Sequence, residues 1–117
     1  MEGDPRELDL VKEAITARVS GCCEWDPDAV ERVNRDRELA HWGLTPRLIK
    51  QLLIEHVEAG GLVEQRVEDR EPWRDDHAYW YRVNLSIEDV PRPLFVEVRF
   101  IQAGPTLPVV HIVSSHF

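Results

Sequence analysis

The sequence has few of the features that mark a secreted, membrane-spanning or metal-binding protein. Its two cysteines, Cys22 and Cys23, are adjacent. Vicinal cysteines rarely pair with each other, so a disulfide framework is not expected and a reducing compartment is. No apolar run approaches the roughly 20 residues of a membrane span. The acidic segment Met1–Glu7 lacks a hydrophobic signal region. Together these absences predict a cytoplasmic protein without membrane association.

Lysine is also scarce, because twelve of the fourteen basic residues are arginine. The net charge of −8 repels nucleic acid at long range, so composition argues against a nucleic-acid-binding protein unless a local cationic patch overrides it. An arginine excess has two explanations: a GC-rich genome, or bidentate recognition of phosphate. A GC-rich genome is expected to account for most of these arginines.

The length of 117 residues predicts one domain, residues 1–117, with a mainly helical first half, residues 1–61. A capping residue followed by proline opens each predicted helix, and glycine closes it. The three helices are expected to run from Asp4-Pro5 to Gly21, from Asp26-Pro27 to near Gly43, and from Thr45-Pro46 to Gly60. The first is predicted from an apolar stripe at Leu8, Val11, Ile15 and Val19.

Beyond Gly61 the hydrophobic period changes to two, which is typical of strands. Runs at 62–68, 77–85, 94–101 and 109–114 are separated by turn signals, including Gly104-Pro105. Residues 62–117 are therefore predicted to be mainly sheet. The predicted fold class is α+β, with two or three N-terminal helices packed on one face of a three- or four-stranded antiparallel sheet.

Alternation divides each strand into a core face and a free face. In the run 94–101 the apolar side chains share one face, while Glu97 and Arg99 lie on the other. In the run 77–85, Trp80 and Arg82 lie opposite the better core face. The last strand is ambiguous. If Val110 and Ile112 are buried His111 faces outward, whereas burial of Val109 and Val113 would put His111 in the core.

If His111 faces outward, it shares one face of the sheet with Trp80, Arg82, Glu97 and Arg99, and these residues together suggest a catalytic site. RNA cleavage through its own 2′-hydroxyl needs a base, an acid and cations, but no metal ion or cofactor. In this hypothesis Arg82 and Arg99 hold phosphate, Glu97 and His111 move protons, and Trp80 stacks on a base. No metal site is predicted, because Cys22-Cys23 lacks the ligand spacing of a zinc site.

A structural interpretation of the same residues stays open. Glu97 and Arg99 are spaced as a solvated cross-strand pair worth under about 1 kcal/mol, and His111 is compatible with a buried histidine. His111 and His116 are five residues apart, which puts them on opposite faces of a regular strand. A terminal strand residue such as His116 completes a site only if the strand is pinned.

Three stretches carry a resemblance to a known group of proteins. They are His41–Pro46 leading into Leu52-Leu53, Leu62–Glu64, and Arg92–Val96 leading to Val109–Ser114. With the order of helices before strands, they resemble the small toxin-like proteins of the BrnT and MqsR kind over residues 30–116. The resemblance implies a RelE-like fold and, for active members, metal-independent cleavage of messenger RNA held in check by an antitoxin. Positions that correspond to its basic and polar site residues are Arg82, Arg99, His111 and His116.

The chain departs from that group in being acidic, since ribonuclease toxins are usually basic. The expected substrate is RNA and the expected partner is an antitoxin or another protein, while no oligomeric state is predicted. The alternative function is a non-enzymatic interaction module or an inactive member of the same fold. Such a module would use the loop Arg70–Arg74, whose Trp73 is either exposed or tucked onto the domain. Otherwise it would use a flat apolar patch around Trp80, Phe95 and Ile101.

Overall fold

A computed structural model of the protein describes residues 3–71, 73–103 and 107–117. Within these residues the chain has four helices and a five-stranded sheet, which confirms the α+β class with N-terminal helices. In chain order the elements are α1 (Pro5–Thr16), β1 (Cys23–Trp25), α2 (Pro27–Arg35), α3 (Arg37–His41), α4 (Pro46–Glu58), β2 (Glu64–Val67), β3 (Tyr79–Leu85), β4 (Leu94–Ala103) and β5 (Pro108–His116). No helix of this part of the chain is long and apolar enough to cross a membrane. The predicted Gly104-Pro105 turn lies outside the described residues.

The helices begin where the capping signals predict. Asp4, Asp26 and Thr45 each accept hydrogen bonds from backbone N–H groups of the first turn, as N-caps do. The predicted second helix is instead two, because the Asp36 side chain accepts from the backbone of Glu38 and Leu39 and starts a new helix there. The first helix ends at Thr16 rather than Gly21, and Val19 lies outside it, 49% exposed.

The sheet has the strand order β1-β5-β4-β3-β2. Strands β2 to β5 form the predicted antiparallel meander. The prediction of a purely antiparallel sheet of three or four strands is wrong, because β1 adds a fifth strand that is parallel to β5. The backbone of Val110 donates to Cys22 at 2.8 Å and that of Asp26 donates to Ile112 at 2.9 Å, which fastens this strand in place.

One face of the sheet holds the core. α1 packs against β4 and β5, α2 against β5 and α4 against β3. The opposite face, which we call the open face, is bordered by the start of α2 and by Arg70 and Trp73. Alternation along the strands assigns the two faces, as expected. The fully buried side chains of the three long strands are Tyr81, Val83, Leu94, Val96, Val98, Val110 and Ile112.

A buried hydroxyl ties β3 to the first helix. The Tyr81 hydroxyl donates to Glu7 at 2.7 Å and accepts from Gln65 at 2.9 Å, and Gln65 also donates to the Asp4 carbonyl at 2.7 Å. Burial, together with the bond to Glu7, raises the pKa of Tyr81, so the phenol stays protonated. The network holds the start of α1 against the sheet.

Removal of that hydroxyl is expected to cost stability without changing the fold. Tyr81→Phe leaves the Glu7 carboxylate and the Gln65 amide without their partner, which lowers the free energy of unfolding by about 1–2 kcal/mol. Urea unfolding followed by circular dichroism measures the change. Tyr79→Phe is the matched control, because it makes the same deletion at a partly exposed position of the same strand. Equal losses in the two variants would contradict this account.

Candidate functional site

The open face contains the six residues that the sequence singles out. Val110 and Ile112 are fully buried and His111 is partly exposed, so the outward orientation of His111 is the one adopted. Arg82 lies opposite Glu97 on the neighbouring strand, and Arg99 lies opposite His111. Trp80 lies on β3 beside them, and His116 is opposite Phe95. All six therefore belong to one surface.

A bulge in β5 changes where the last histidine points. Ile112 is opposite Val98 and Ser114 is opposite Glu97, so Val113 is an extra residue that shifts the alternation by one. Ser115 is consequently buried and His116 is exposed on the same face as His111. The prediction that His111 and His116 face opposite ways is wrong for this reason.

Sequence reasoning missed the central residue of the open face, Arg70. Its guanidinium donates to both oxygens of Glu97, at 3.1 and 3.0 Å, and to both oxygens of Glu68, at 2.8 and 3.0 Å. Such two-pronged pairs are the strongest hydrogen-bonded ion pairs in proteins. The loop sequence does carry a signal for this site, because Arg70 and Trp73 occur there among charged residues. The position of Arg70 over the sheet, however, depends on tertiary contacts that the sequence pattern does not specify.

Glu68 is the buried member of this network, and no part of its side chain is exposed. Burial alone would raise the pKa of Glu68, but hydrogen bonds from Arg70 and His77 outweigh burial and hold that pKa below its usual value. The carboxylates of Glu68 and Glu97 raise the pKa of Arg70. Glu68 and Arg70 are thus charged partners, and Arg70 joins Glu68 to Glu97 of β4.

Arginines also lie over the aromatic rings of the open face. The Arg70 guanidinium is 4.3 Å from the Trp80 ring centroid and 5.6 Å from that of Trp73, and the Arg82 guanidinium is 4.2 Å from that of Phe95. The flat apolar patch expected of an interaction module around Trp80, Phe95 and Ile101 is therefore not present, because cations lie over two of its three members. Trp73 itself is 40% exposed.

Two adjoining clefts divide the open face, and Arg70 and Glu97 line both. The larger has a volume of about 400 Å³. The smaller has a volume of about 250 Å³ and contains Val96 together with four of the predicted residues. Lining the larger cleft are Asp26, Asp28, Arg32, Arg70, Trp73, Glu97, Arg99, Val113 and Ser114. The four predicted residues that line the smaller cleft are Trp80, Arg82, Glu97 and His116, and Arg70 and Phe95 line it as well.

The predicted catalytic set is therefore only partly convergent. Arg82 and His116 line the smaller cleft, Arg99 lines the larger, and His111 lines neither of the two. In the larger cleft the Arg99 Nε atom is buried and has no hydrogen-bond acceptor among the described residues. A buried donor left without a partner costs about 1–3 kcal/mol, so an acceptor placed there would be favourable.

The described residues do not contain a cluster of three or more His, Cys, Asp or Glu side chains that could hold a metal ion. Cys22 and Cys23 are both buried free thiols. Burial raises the pKa of Cys23 to about 11, so this thiol stays protonated at neutral pH. The two cysteines are core residues by position.

Comparisons of the chain with protein-family models, with curated proteins and with solved structures give no significant match. The chemistry of the open face is therefore the basis on which a function is assigned.

Proposed function

We propose that the protein is a toxin-like endoribonuclease that acts on single-stranded RNA at its open face without a metal ion. The observation that carries the proposal is the smaller cleft, where a histidine, a carboxylate and two aromatic rings meet Arg82, an arginine without an ionic partner among the described residues. The guanidinium planes of Arg70 and Arg82 lie over these rings; such planes stack on unpaired bases, and arginine binds phosphate. The resemblance to BrnT- and MqsR-like toxins supports the same activity, with an antitoxin as the protein partner.

The proposed reaction is a transesterification at one phosphodiester. The 2′-oxygen loses its proton to a base and bonds to phosphorus, while the bond from phosphorus to the 5′-oxygen breaks. Protonated His116 supplies the proton that the leaving 5′-oxygen takes up. Arg82, which lines the same cleft, stabilises the negative charge of the phosphorane. The products are a 2′,3′-cyclic phosphate and a free 5′-hydroxyl.

Glu97 is the proposed base, and its contacts set a condition on that role. Both of its oxygens accept hydrogen bonds from Arg70, so both are already engaged by a donor. Arg70 must therefore turn from Glu97 to the substrate phosphate before Glu97 can take the proton. His116 replaces His111 as the proposed acid, because His116 lines the same cleft as Arg82 and Glu97.

The test is cleavage of a mixed-sequence RNA by purified protein in the presence of EDTA. The wild type is expected to cleave, and His116→Ala is expected to lose at least 100-fold in rate, within the usual range for a general acid. His111→Ala separates the two histidines, and Arg99→Ala/His111→Ala tests the other end of the face. Circular dichroism establishes that each variant is folded. The matched control is Arg47→Ala/His41→Ala, which removes the same two residue types at exposed positions on the helices.

Each outcome has a distinct meaning. Loss of cleavage in His116→Ala but not in the control supports the smaller cleft as the active site. Loss in His111→Ala with full activity in His116→Ala would move the site to the Arg99 end of the face and overturn the assignment given above. An absence of wild-type cleavage above background would overturn the enzymatic proposal.

A second candidate function, a non-enzymatic interaction module, is favoured by one observation. The proposed base Glu97 is fully engaged by Arg70, as expected of a residue with a structural role. In this case Trp73, 40% exposed beside Arg70, is the contact residue, because aromatic and arginine side chains dominate protein interfaces. Trp73→Ala would then abolish capture of a partner while leaving the fold unchanged.

A further inference from the structure

The larger cleft contains several groups that the cleavage chemistry does not use, among them Asp28, Arg99 and Trp73. At about 400 Å³ it falls within the roughly 300–1,000 Å³ of small-molecule sites. It brings Trp73 together with arginines and carboxylates, and some of these already have partners. Glu97 is held by Arg70, and the Asp26 side chain caps α2 by accepting from the Asp28 backbone. Asp28 is exposed, and its carboxylate takes part in none of the hydrogen bonds found among the described residues.

The hydrogen-bond donors of the larger cleft differ in whether they already have an acceptor. Arg32 donates one Nη2 hydrogen bond to the Val113 carbonyl at 2.8 Å, which fixes its guanidinium at the cleft wall. Arg99 contributes the buried Nε atom that has no acceptor within the described part of the chain. The cleft therefore offers a carboxylate that accepts, guanidinium groups that donate, and an exposed indole that stacks.

Among the four RNA bases, guanine matches this arrangement best. A carboxylate can accept two hydrogen bonds side by side only from a base with two adjacent donors, and guanine has them at N1 and N2. A guanidinium can donate two side by side to adjacent acceptors, which guanine has at O6 and N7. Adenine and uracil have neither of these two edges, and cytosine lacks the one with two adjacent donors. Base edges of unpaired RNA are accessible to both kinds of contact.

We infer that the larger cleft is a guanine-binding subsite, in which Asp28 accepts from N1 and N2, Arg99 donates to O6 and N7, and Trp73 stacks on the base. The inference rests on the proposed function, since it places one guanine beside the scissile phosphate in the adjoining cleft. Arg70 and Glu97, which line both clefts, mark the boundary between recognition and cleavage. Cleavage next to guanine follows as the sequence preference of the enzyme.

The subsite is tested by binding rather than by cleavage. Isothermal titration of the wild-type protein with GMP, AMP, CMP and UMP at low salt is expected to give GMP at least tenfold tighter than the other three. Asp28→Asn keeps the size of the side chain but replaces one acceptor oxygen with a donor. This variant is expected to lose the tenfold preference while its weak binding of AMP, CMP and UMP stays the same. Glu31→Gln is the matched control, because it removes one negative charge from an exposed position of the same helix.

The outcomes separate the subsite from the ribonuclease proposal. A guanine preference that is abolished by Asp28→Asn and kept by Glu31→Gln supports the subsite, whether or not RNA is cleaved. Equal binding of the four nucleotides, no binding of any of them, or a preference that survives Asp28→Asn would overturn the subsite. RNA cleavage by a protein that binds the four nucleotides equally would overturn the subsite and leave the ribonuclease proposal intact.

Discussion

Arg70→Ala is expected to lower the free energy of unfolding by about 2–3 kcal/mol, an effect on the order of 10 °C in Tm for a domain of this size. The reason is the carboxylate that it leaves behind. Glu68 has no exposed side-chain surface, and a buried charge whose partner is removed is strongly destabilising. Because Arg70 itself is about one-third exposed, the expected cost lies below the roughly 3–5 kcal/mol of fully buried pairs. Urea and thermal unfolding measure the loss.

A double-mutant cycle identifies the source of that loss. If the uncompensated charge of Glu68 is responsible, Glu68→Gln should remove much of the cost of Arg70→Ala, and the double variant should be more stable than the sum of the single changes. Arg70→Lys should recover only part of the stability, because an ammonium group cannot make the two-pronged pairs. Arg74→Ala is the control in the same segment. Arg74 is 56% exposed and pairs with the exposed Glu71, so its loss should stay within about 0.5 kcal/mol. Equal losses for Arg70→Ala and Arg74→Ala would contradict the proposed role of Glu68.

The parts of the fold that the sequence predicts correctly are those with a local cause. Each predicted helix start has a side chain that caps the first turn, as Asp4 and Thr45 show. The faces of β3 and β4 follow from alternation, since apolar side chains at every second position leave a single arrangement that buries them. These signals lie within a few residues of the structure that they determine.

The parts that the sequence does not predict depend on distant partners. β1 is three residues long, and it is a strand because it lies beside β5, about ninety positions further on. The bulge at Val113 has no local signal, yet it decides which face His116 occupies. Arg70 is an ordinary charged loop residue until the fold brings Glu97, 27 positions away, within hydrogen-bonding distance. The open-face residues of β3 and β4 were therefore predictable, while Arg70, the orientation of His116 and the division of the face into two clefts were not.

If the open face cleaves RNA as proposed, Arg82 is the position at which a substitution is expected to have the largest effect on activity. The carboxylates opposite it on the neighbouring strands are Glu64 and Glu97, and they pair with Arg66 and Arg70 instead. Arg82 retains one side-chain hydrogen bond, to Asn84 at 3.3 Å, and its guanidinium lies over Phe95. Among the described residues its charge is therefore without an ionic partner, and a phosphate entering the smaller cleft would supply one.

Arg82→Ala is accordingly expected to reduce kcat/KM for RNA cleavage about 100-fold, the typical effect of removing one group that stabilises transition-state charge. The stability of the variant should change by less than about 1 kcal/mol, because no ion pair is broken. Arg66→Ala is the matched control on the adjacent strand, since Arg66 already pairs with Glu64 at 3.4 Å, and a change of less than about threefold is expected there. If RNA binding is measured as well, loss of one phosphate contact should lower the slope of log affinity against log salt by about 0.7, the value for single strands. Arg82→Ala with wild-type cleavage and an unchanged salt slope would exclude phosphate from the smaller cleft, and the site of any activity would then have to lie around Arg99.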